Sequence, residues 1–376
     1  MLSARTAEAL GGQAGRLAAF VDAHPGLAPV DVGRALATTR AALEHRAVVV
    51  AEDPAGFRAG LTALAAGSGG PAGAAGTAGT AGVEVIAGVA TPDGATTGAR
   101  IVRGVADTTA TTVFVFPGAG TAWPAMAREL LATSPVFAGH LNAVAAALAP
   151  YIDWNLLDVL QQRPGAPTLD RVDVSQPAVF AVLVALARLW QHHGVHPHAV
   201  VGHSQGEIAA AHIAGALTLD DAARVVALRG QILGALPDPG AVVWVNLPAD
   251  QVRERLARFR DGAAPVSVAV LNSPTSTAIA GSDEALAEFV AGLRAEGIRT
   301  RDVPVGYASH SAWVEAVRDE LLTALAPIRP QPATIPILST VTADWIDPTT
   351  LTADYWYTNL RQPVLFEAAT RALLGD

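Results

Sequence analysis

One serine of this chain stands where a hydroxyl can be made nucleophilic. Ala199-Val200-Val201 is an apolar run, Gly202-His203-Ser204-Gln205-Gly206 follows it, and Glu207-Ile208-Ala209-Ala210-Ala211 opens an Ala-rich helical pattern. Strand, sharp turn and helix are the context that a Gly-x-Ser-x-Gly needs to lift its serine clear of a sheet. Glycine is required at 202 and 206 because strand and helix approach closely there. The Gln205 N–H falls at the helix N-terminus, where an unpaired donor and the helix dipole stabilise an oxyanion. The bland alternative is an ordinary turn serine. Such a serine needs a base, and neutral imidazole is the usual one. His310, in Tyr307-Ala308-Ser309-His310, lies in a loop that enters a helical pattern, a common place for a positioned group. No acid in hydrolase order stands out between Ser204 and His310. That leaves a Ser–His pair, whose imidazole a backbone carbonyl could orient. Arg229 interrupts the apolar run Val225-Val226-Ala227-Leu228. It either snorkels to the surface or forms a buried anion receptor, and spacing does not separate the two.

Two other patterns invite a chemical reading. Val113-Phe114-Val115-Phe116 is a buried-strand pattern that ends in Pro117-Gly118-Ala119-Gly120. A Walker phosphate loop needs lysine, and all 25 basic residues of the chain are arginine. The better reading is a loop that presents a backbone N–H toward Ser204 as a second oxyanion donor. His192, His193, His196 and His198 crowd one short stretch, but without a His-x-x-x-His on a helix or a carboxylate alongside. They read as a solvated loop, and no metal site is expected.

The elements that must position these groups fall into three regions. Residues 1–105 read as a small α/β unit. Its helices run from a Ser3 cap to about Val21, from an Asp31 cap to about Leu43, and over Asp53–Ala66. Its strands lie at His45–Ala51, Val83–Ile86 and Arg100–Val102. Gly67–Gly82 has no apolar side chain to bury and reads as a flexible surface loop. Residues 106–240 and 305–376 carry the chemistry. Their helices are expected at Pro124–Ala132, Pro135–Leu148, Gln176–Gln191, after Ser204, at Asp220–Leu236, from Gly306 to about Ala326, and at Asp354–Leu360 and Leu365–Leu374. A strand is expected at Ile335–Ser339. Residues 241–304 change period and run β-α-β-β-α-β, the order of a ferredoxin-like unit inserted between the serine and histidine regions.

Composition narrows the class. The chain has 376 residues, enough for two or three domains. It has no cysteine, so neither disulfides nor thiolate chemistry are available. A net charge of −9 argues against a nucleic-acid partner. No run of eighteen apolar residues predicts a membrane span, and no basic segment followed by an apolar block marks a signal peptide. A cytoplasmic, soluble enzyme or enzyme fragment is expected.

With these motifs in view, nearly the whole chain resembles the acyltransferase domain of modular type I polyketide synthases. More distantly it is similar to the malonyl-CoA:acyl carrier protein transacylases. Phe116-Pro117-Gly118-Ala119-Gly120-Thr121-Ala122-Trp123 looks like that family's first loop, and Gly202-His203-Ser204-Gln205-Gly206-Glu207 is its nucleophile motif. Val225-Val226-Ala227-Leu228-Arg229 matches its arginine helix, and Tyr307-Ala308-Ser309-His310 its histidine motif. Asn359-Leu360-Arg361-Gln362-Pro363-Val364 matches the segment whose asparagine carbonyl orients the histidine. Residues 1–100, with Ala37-Thr38-Thr39-Arg40 and Glu44-His45-Arg46, look like the linker that follows a ketosynthase. The fold implied is α/β: an α/β-hydrolase-like large subdomain with an inserted ferredoxin-like small subdomain, preceded by a small α/β linker domain.

The resemblance implies acyl transfer from an acyl-CoA to the phosphopantetheine thiol of an acyl carrier protein. Ser204 is the implied nucleophile, His310 the base, Gln205 and Ala119 the oxyanion donors, and Asn359 the residue that orients His310. It assigns Arg229 to the free carboxylate of a malonyl-type acyl group. Arg171-Val172-Asp173-Val174-Ser175-Gln176, Gln205, and Tyr307 with Ser309 follow the methylmalonyl pattern, so methylmalonyl-CoA is the implied substrate. No tightly bound cofactor is implied. The implied partners are the carrier protein and an adjacent ketosynthase, with neither nucleic acid nor membrane. The chain departs from the family at Ala119, where Gln is usual, and at Thr121-Ala122. It also stops at Asp376, before the family's last strand, which leaves a sheet edge or core face expected to be open. Two other functions fit parts of the pattern. One is a serine hydrolase or thioesterase, which has no use for Arg229. The other is a catalytically silent docking domain, motivated by Ala119 and the short C-terminus.

Overall fold

A computed structural model describes residues 1–67, 84–89, 96–106, 111–237, 240–259 and 266–375. The loop expected over 67–82 therefore lies outside the described residues, apart from Gly67. The chain divides into two compact units, Met1–Ala110 and Thr111–Asp376.

In the first unit, strands β1 (Leu2–Ala4), β2 (His45–Val50), β3 (Glu84–Ala87) and β4 (Arg100–Val105) form an antiparallel sheet in the order β1-β2-β4-β3. Helices Ala7–Ala23 and Pro54–Ala65 pack on each other. Leu10, Ala14, Leu61, Leu64 and Ile101 fill the core. Asp53 caps the second of these helices, accepting the Gly56 N–H at 2.6 Å. Ser3, expected as a cap, lies in β1 instead, and its hydroxyl donates to the Ala41 carbonyl at 2.7 Å. Thr6 does the capping, because the chain must first complete its ladder with β2. Asp31 is likewise inside its helix, Pro29–Thr39, which starts on a proline with preset φ.

In the second unit, β5 (Val113–Phe116) and β6 (Ala199–Gly202) are short parallel partners. Strands β7 (Ala241–Val245), β8 (Ser267–Ser273), β9 (Ser276–Gly281) and β10 (Thr300–Val303) form a separate sheet in the order β10-β7-β9-β8 with every neighbour antiparallel. That is the ferredoxin-like arrangement. Helices Ala249–Arg258 and Asp283–Ala295 supply Val252, Leu286 and Phe289 to a core with Val243, Val245 and Ile279. The chain then returns to the first sheet with β11 (Ile337–Ser339), parallel to β6, and β12 (Asp344–Trp345), giving the order β12-β11-β6-β5. Parallel strands buried between helices, with a serine elbow after the central one, make this subdomain α/β-hydrolase-like.

The main core gathers around helices Pro135–Leu148, Val172–His192, Gly206–Ala214 and Leu219–Gly234. Helix Val172–His192 begins four residues before the expected start, because Pro177 is tolerated inside it. At 21 residues, with a mean hydropathy of 1.6 over its best window, it is long and apolar enough to cross a membrane by length and composition, although it contains no unbroken apolar run of eighteen; 61% of that window is buried in the protein. After His310 the expected continuous helix is split into a 3₁₀ segment, Ala312–Val317, and a helix, Arg318–Leu325. The histidine stretch holds its neighbours: the His198 ring accepts the Thr112 N–H at 3.1 Å.

Candidate active site

Strand β6 ends at Gly202, and two residues later Ser204 takes φ +55°, in the left-handed region that a side chain adopts only under strain. The elbow is tight enough to exclude any Cβ at its two glycines. One at Gly202 would overlap the Glu207 backbone, and one at Gly206 would lie 2.6 Å from the Pro117 carbonyl. The strained turn holds the Ser204 hydroxyl 2.8 Å from Nε2 of His310.

His310 arrives from the other end of the unit and is also left-handed, with φ +57°. Its N–H donates to the Leu360 carbonyl at 2.9 Å. Its Nδ1 lies 2.8 Å from the Gln362 carbonyl. A carbonyl only accepts, so Nδ1 carries the proton and Nε2 is left basic, facing the serine. The orienting carbonyl is therefore that of Gln362, where the sequence pointed to Asn359. The Asn359 carbonyl is a lesser influence on the ring. Burial, and then the Arg229 charge, push the imidazole down to about 3 against the opposing pull of the Gln362 bond.

Arg229 is completely buried. Its Nη1 donates to Oδ1 of Asn359 at 2.8 Å, while Nε and Nη2 have no partner among the described residues. The Asn359 amide nitrogen turns the other way, to Oε2 of Glu207 at 3.1 Å and the Ser204 carbonyl at 3.3 Å. Glu207 is itself buried. Its Oε1 accepts the Thr340 N–H at 2.5 Å and its Oε2 accepts the Tyr355 hydroxyl at 2.6 Å. Burial raises its pKa although these bonds pull it down. The sequence quoted Glu207 within the nucleophile motif but gave it no part. Its partners at 340, 355 and 359 are too distant in the chain for any local pattern to reveal.

Facing the serine, loop 117–120 lies against the elbow. A Cβ at Gly118 would sit 2.7 Å from the His203 carbonyl and 3.5 Å from Cβ of Ser204. Among the described residues, neither the Ala119 nor the Gln205 N–H has a backbone or side-chain acceptor. Both residues line a cavity of about 670 Å³, together with Gln176, Val179 and Gly306. Gln176 donates through Nε2 to the buried Tyr307 hydroxyl at 3.0 Å. Oε1 of Gln176 and Oε1 of Gln205 are buried without partners among the described residues. Ser309 is buried directly before His310. His203 spans the two subdomains: its Nε2 lies 3.0 Å from Oδ1 of Asn272, and its ring centroid 5.3 Å from that of Phe366.

A strand–elbow–helix serine hydrogen-bonded to a carbonyl-oriented histidine, in a hydrolase-like subdomain with a ferredoxin-like insert, is an arrangement in which a hydroxyl can be made nucleophilic. Comparison with known proteins narrows the class. The family described as "Acyl transferase domain" matches residues 113–376. A second family, "CurL-like, PKS C-terminal", matches residues 1–61. Polyketide synthase GfsA of Streptomyces halstedii is 50% identical over 376 residues, covering 99% of this chain and 5% of that protein. The mycoketide-CoA synthase of Mycobacterium tuberculosis is 47% identical over 371 residues, covering 99% of this chain and 8% of that protein. The chain thus spans less than a tenth of the length of either relative. Among solved structures, the acyltransferase domain from module 8 of the salinomycin polyketide synthase is similar over 100% of this chain and 81% of that one, with TM-score 0.84 and 47% identity. The malonyl CoA-acyl carrier protein transacylase of Coxiella burnetii is similar over 70% of this chain and 84% of that one, with TM-score 0.64 and 27% identity. The chain belongs to the acyltransferase domain family of modular polyketide synthases.

Proposed function

We propose that this acyltransferase moves a methylmalonyl group from methylmalonyl-CoA to the phosphopantetheine thiol of an acyl carrier protein through an acyl-Ser204 intermediate. Nε2 of His310 takes the Ser204 proton as Oγ attacks the thioester carbonyl. The oxyanion is received by the N–H groups of Gln205 and Ala119. When the C–S bond breaks, the CoA sulfur leaves with the proton from His310. The carrier thiol then repeats the sequence in reverse, losing its proton to His310 while Ser204 recovers one. A neutral imidazole at physiological pH, as burial and Arg229 dictate, is the form that this cycle starts from. Met1–Ala110 we assign to the linker that joins the acyltransferase to a ketosynthase, in keeping with its match to a polyketide synthase C-terminal family.

The observation that carries the reading is the unpartnered edge of the buried Arg229 guanidinium. Its Nε and Nη2 are buried without partners, on a side chain tied through Asn359 to the Ser204 backbone. Two parallel N–H groups on one guanidinium edge fit a carboxylate bidentately. A hydrolase of simple esters has no group to place there. For the α-methyl, the reading rests on Ser309, small and adjacent to His310, and on Tyr307 held by Gln176. The test is intact-mass detection of the acyl-enzyme with a panel of CoA esters. Ser204→Ala should give no adduct. Arg229→Ala should lose about 2–5 kcal/mol with dicarboxylic esters and little with propionyl-CoA. An adduct that persists in Ser204→Ala, or equal losses for both ester classes in Arg229→Ala, would defeat the assignment.

A further inference from the structure

Asn359 is hydrogen-bonded to the arginine, to the elbow and to the buried carboxylate at once. Its amide cannot be turned round. Arg229 has only donors, so Oδ1 must face it; Glu207 Oε2 and the Ser204 carbonyl are acceptors, so Nδ2 must face them. The far end of the chain of bonds is equally fixed. Glu207 is held by the Thr340 N–H and the Tyr355 hydroxyl, and the Tyr355 hydroxyl lies 2.7 Å from Oγ of Ser339. Asn359 is 2% exposed, Glu207 2% and Arg229 0%, so water does not compete for these bonds.

A guanidinium has two edges that can grip a carboxylate, one made by Nε with the nearer Nη and one by the two Nη groups. Taking Nη1 removes the second edge and leaves the first. An acceptor on that nitrogen therefore decides which face of the charge a ligand meets, and fixes the roll of the plane. A carboxylate in its place would do the same but would also satisfy the charge. A neutral amide satisfies one donor and leaves the positive charge uncompensated for an incoming anion. The negative group that could have paired with the arginine, Glu207, is kept one amide away.

We propose that Asn359 is a positioning residue for the acyl carboxylate. By holding Nη1 of Arg229 with a neutral oxygen, it presents the Nε/Nη2 edge and keeps Glu207 from occupying it. This rests on the reading of Arg229 as carboxylate receptor. It gives Asn359 a part in substrate choice rather than in orienting His310.

The experiment is competitive acylation of the full chain by methylmalonyl-CoA and propionyl-CoA in one tube, read as the ratio of the two acyl-Ser204 masses. A ratio cancels any loss that strikes the whole site. Asn359→Ala should lower the dicarboxylic-to-monocarboxylic ratio about tenfold, the size of one charge-assisted bond. Asn359→Asp keeps the shape and the acceptor for Nη1, adds a charge, and gives up the donor to Glu207 and the Ser204 carbonyl. It should lower the ratio as well, by raising the methylmalonyl KM more than it lowers kcat. A purely structural residue would lose both esters alike. Arg229→Ala is run beside them. If it leaves the ratio unchanged, the receptor reading fails and this proposal with it. If it collapses the ratio while both Asn359 variants keep it, the positioning proposal alone is overturned. Should Asn359→Ala not fold, the Asp variant decides.

Discussion

Adding one methyl group to the loop that faces the serine should cost rate without removing any chemical group. In Gly118→Ala the new Cβ would start 2.7 Å from the His203 carbonyl and 2.9 Å from its Nδ1, where real contacts lie at 3.0–3.4 Å or beyond. Something must move by a few tenths of an ångström. The His203 carbonyl cannot, because it accepts the Gly206 N–H at 2.9 Å inside the elbow. The ring is held at its other nitrogen by Asn272. The loop is the part free to yield, and Ala119 moves with it. Overpacking of this kind costs about 1–3 kcal/mol of stability. Removing an oxyanion donor outright costs about 10²- to 10³-fold in rate. Backing one away by a fraction of an ångström should cost roughly tenfold. The assay is the single-turnover rate of Ser204 acylation at saturating methylmalonyl-CoA, with a thermal melt on the same sample. A folded Gly118→Ala enzyme that acylates at the wild-type rate would remove the Ala119 N–H from the mechanism.

Other perturbations probe the rest of the site. With His310 lowered to about 3 by burial and Arg229, kcat/KM for acylation should show no imidazole limb between about pH 5 and 8, and Arg229→Ala should move the acid limb upward; a limb that stays put would separate the two residues. The same depression leaves the unfolded chain the better proton binder below its value of 6.5, so the stability contributed by neutral His310 is present above that pH and lost as pH falls toward 3. The loss approaches about 1.4 kcal/mol per pH unit, and urea titrations at pH 7 and 5 should show a flatter pH dependence in His310→Asn. Exchanging Tyr307 for His and Ser309 for Phe should shift competitive acylation toward malonyl-CoA by roughly 10- to 200-fold, and an unchanged ratio in an active variant would place selectivity elsewhere. Glu207→Gln sets an NH₂ against either the Thr340 N–H or the Asn359 amide nitrogen, both of which only donate, so it should destabilise by about 1–3 kcal/mol in denaturant titration, and a neutral result would mean that the network relaxes.

What the sequence made legible follows from how far each signal extends along the chain. The elbow is local: two glycines, an apolar strand and an Ala-rich helix lie within thirteen residues, and Ser204 was readable from them. The β-α-β-β-α-β order was readable because each of its elements has its own period. Arg229 was visible as a charge in an apolar helix, but its burial depends on packing that no window of sequence contains. Glu207 looked like any acidic residue in a first helical turn, because its partners come more than 130 residues later. Gln362 acts through a backbone carbonyl, which every residue has, so its side chain gave no sign. Ser3 and Asp31 had the right type for caps, but the pairing of β1 and a helix-initiating proline decided those starts.

The peptide that aims the imidazole has a second attachment. Two residues after Gln362, Val364 pairs with Val270 of β8: its N–H donates to the Ala269 carbonyl at 2.9 Å, and its carbonyl accepts the Leu271 N–H at 2.9 Å. A short stretch of the hydrolase-like part thus serves as an extra rung on the outer edge of the inserted sheet, covering what would be an open edge. The His310 imidazole is therefore held from both subdomains of the second unit. Any tilt of the insert relative to the elbow pulls on the peptide behind His310 and detunes the hydrogen bond that keeps its far nitrogen basic. The cleft and the proton transfer cannot be engineered separately. An insert borrowed from a relative would arrive with its own setting of the His310 imidazole.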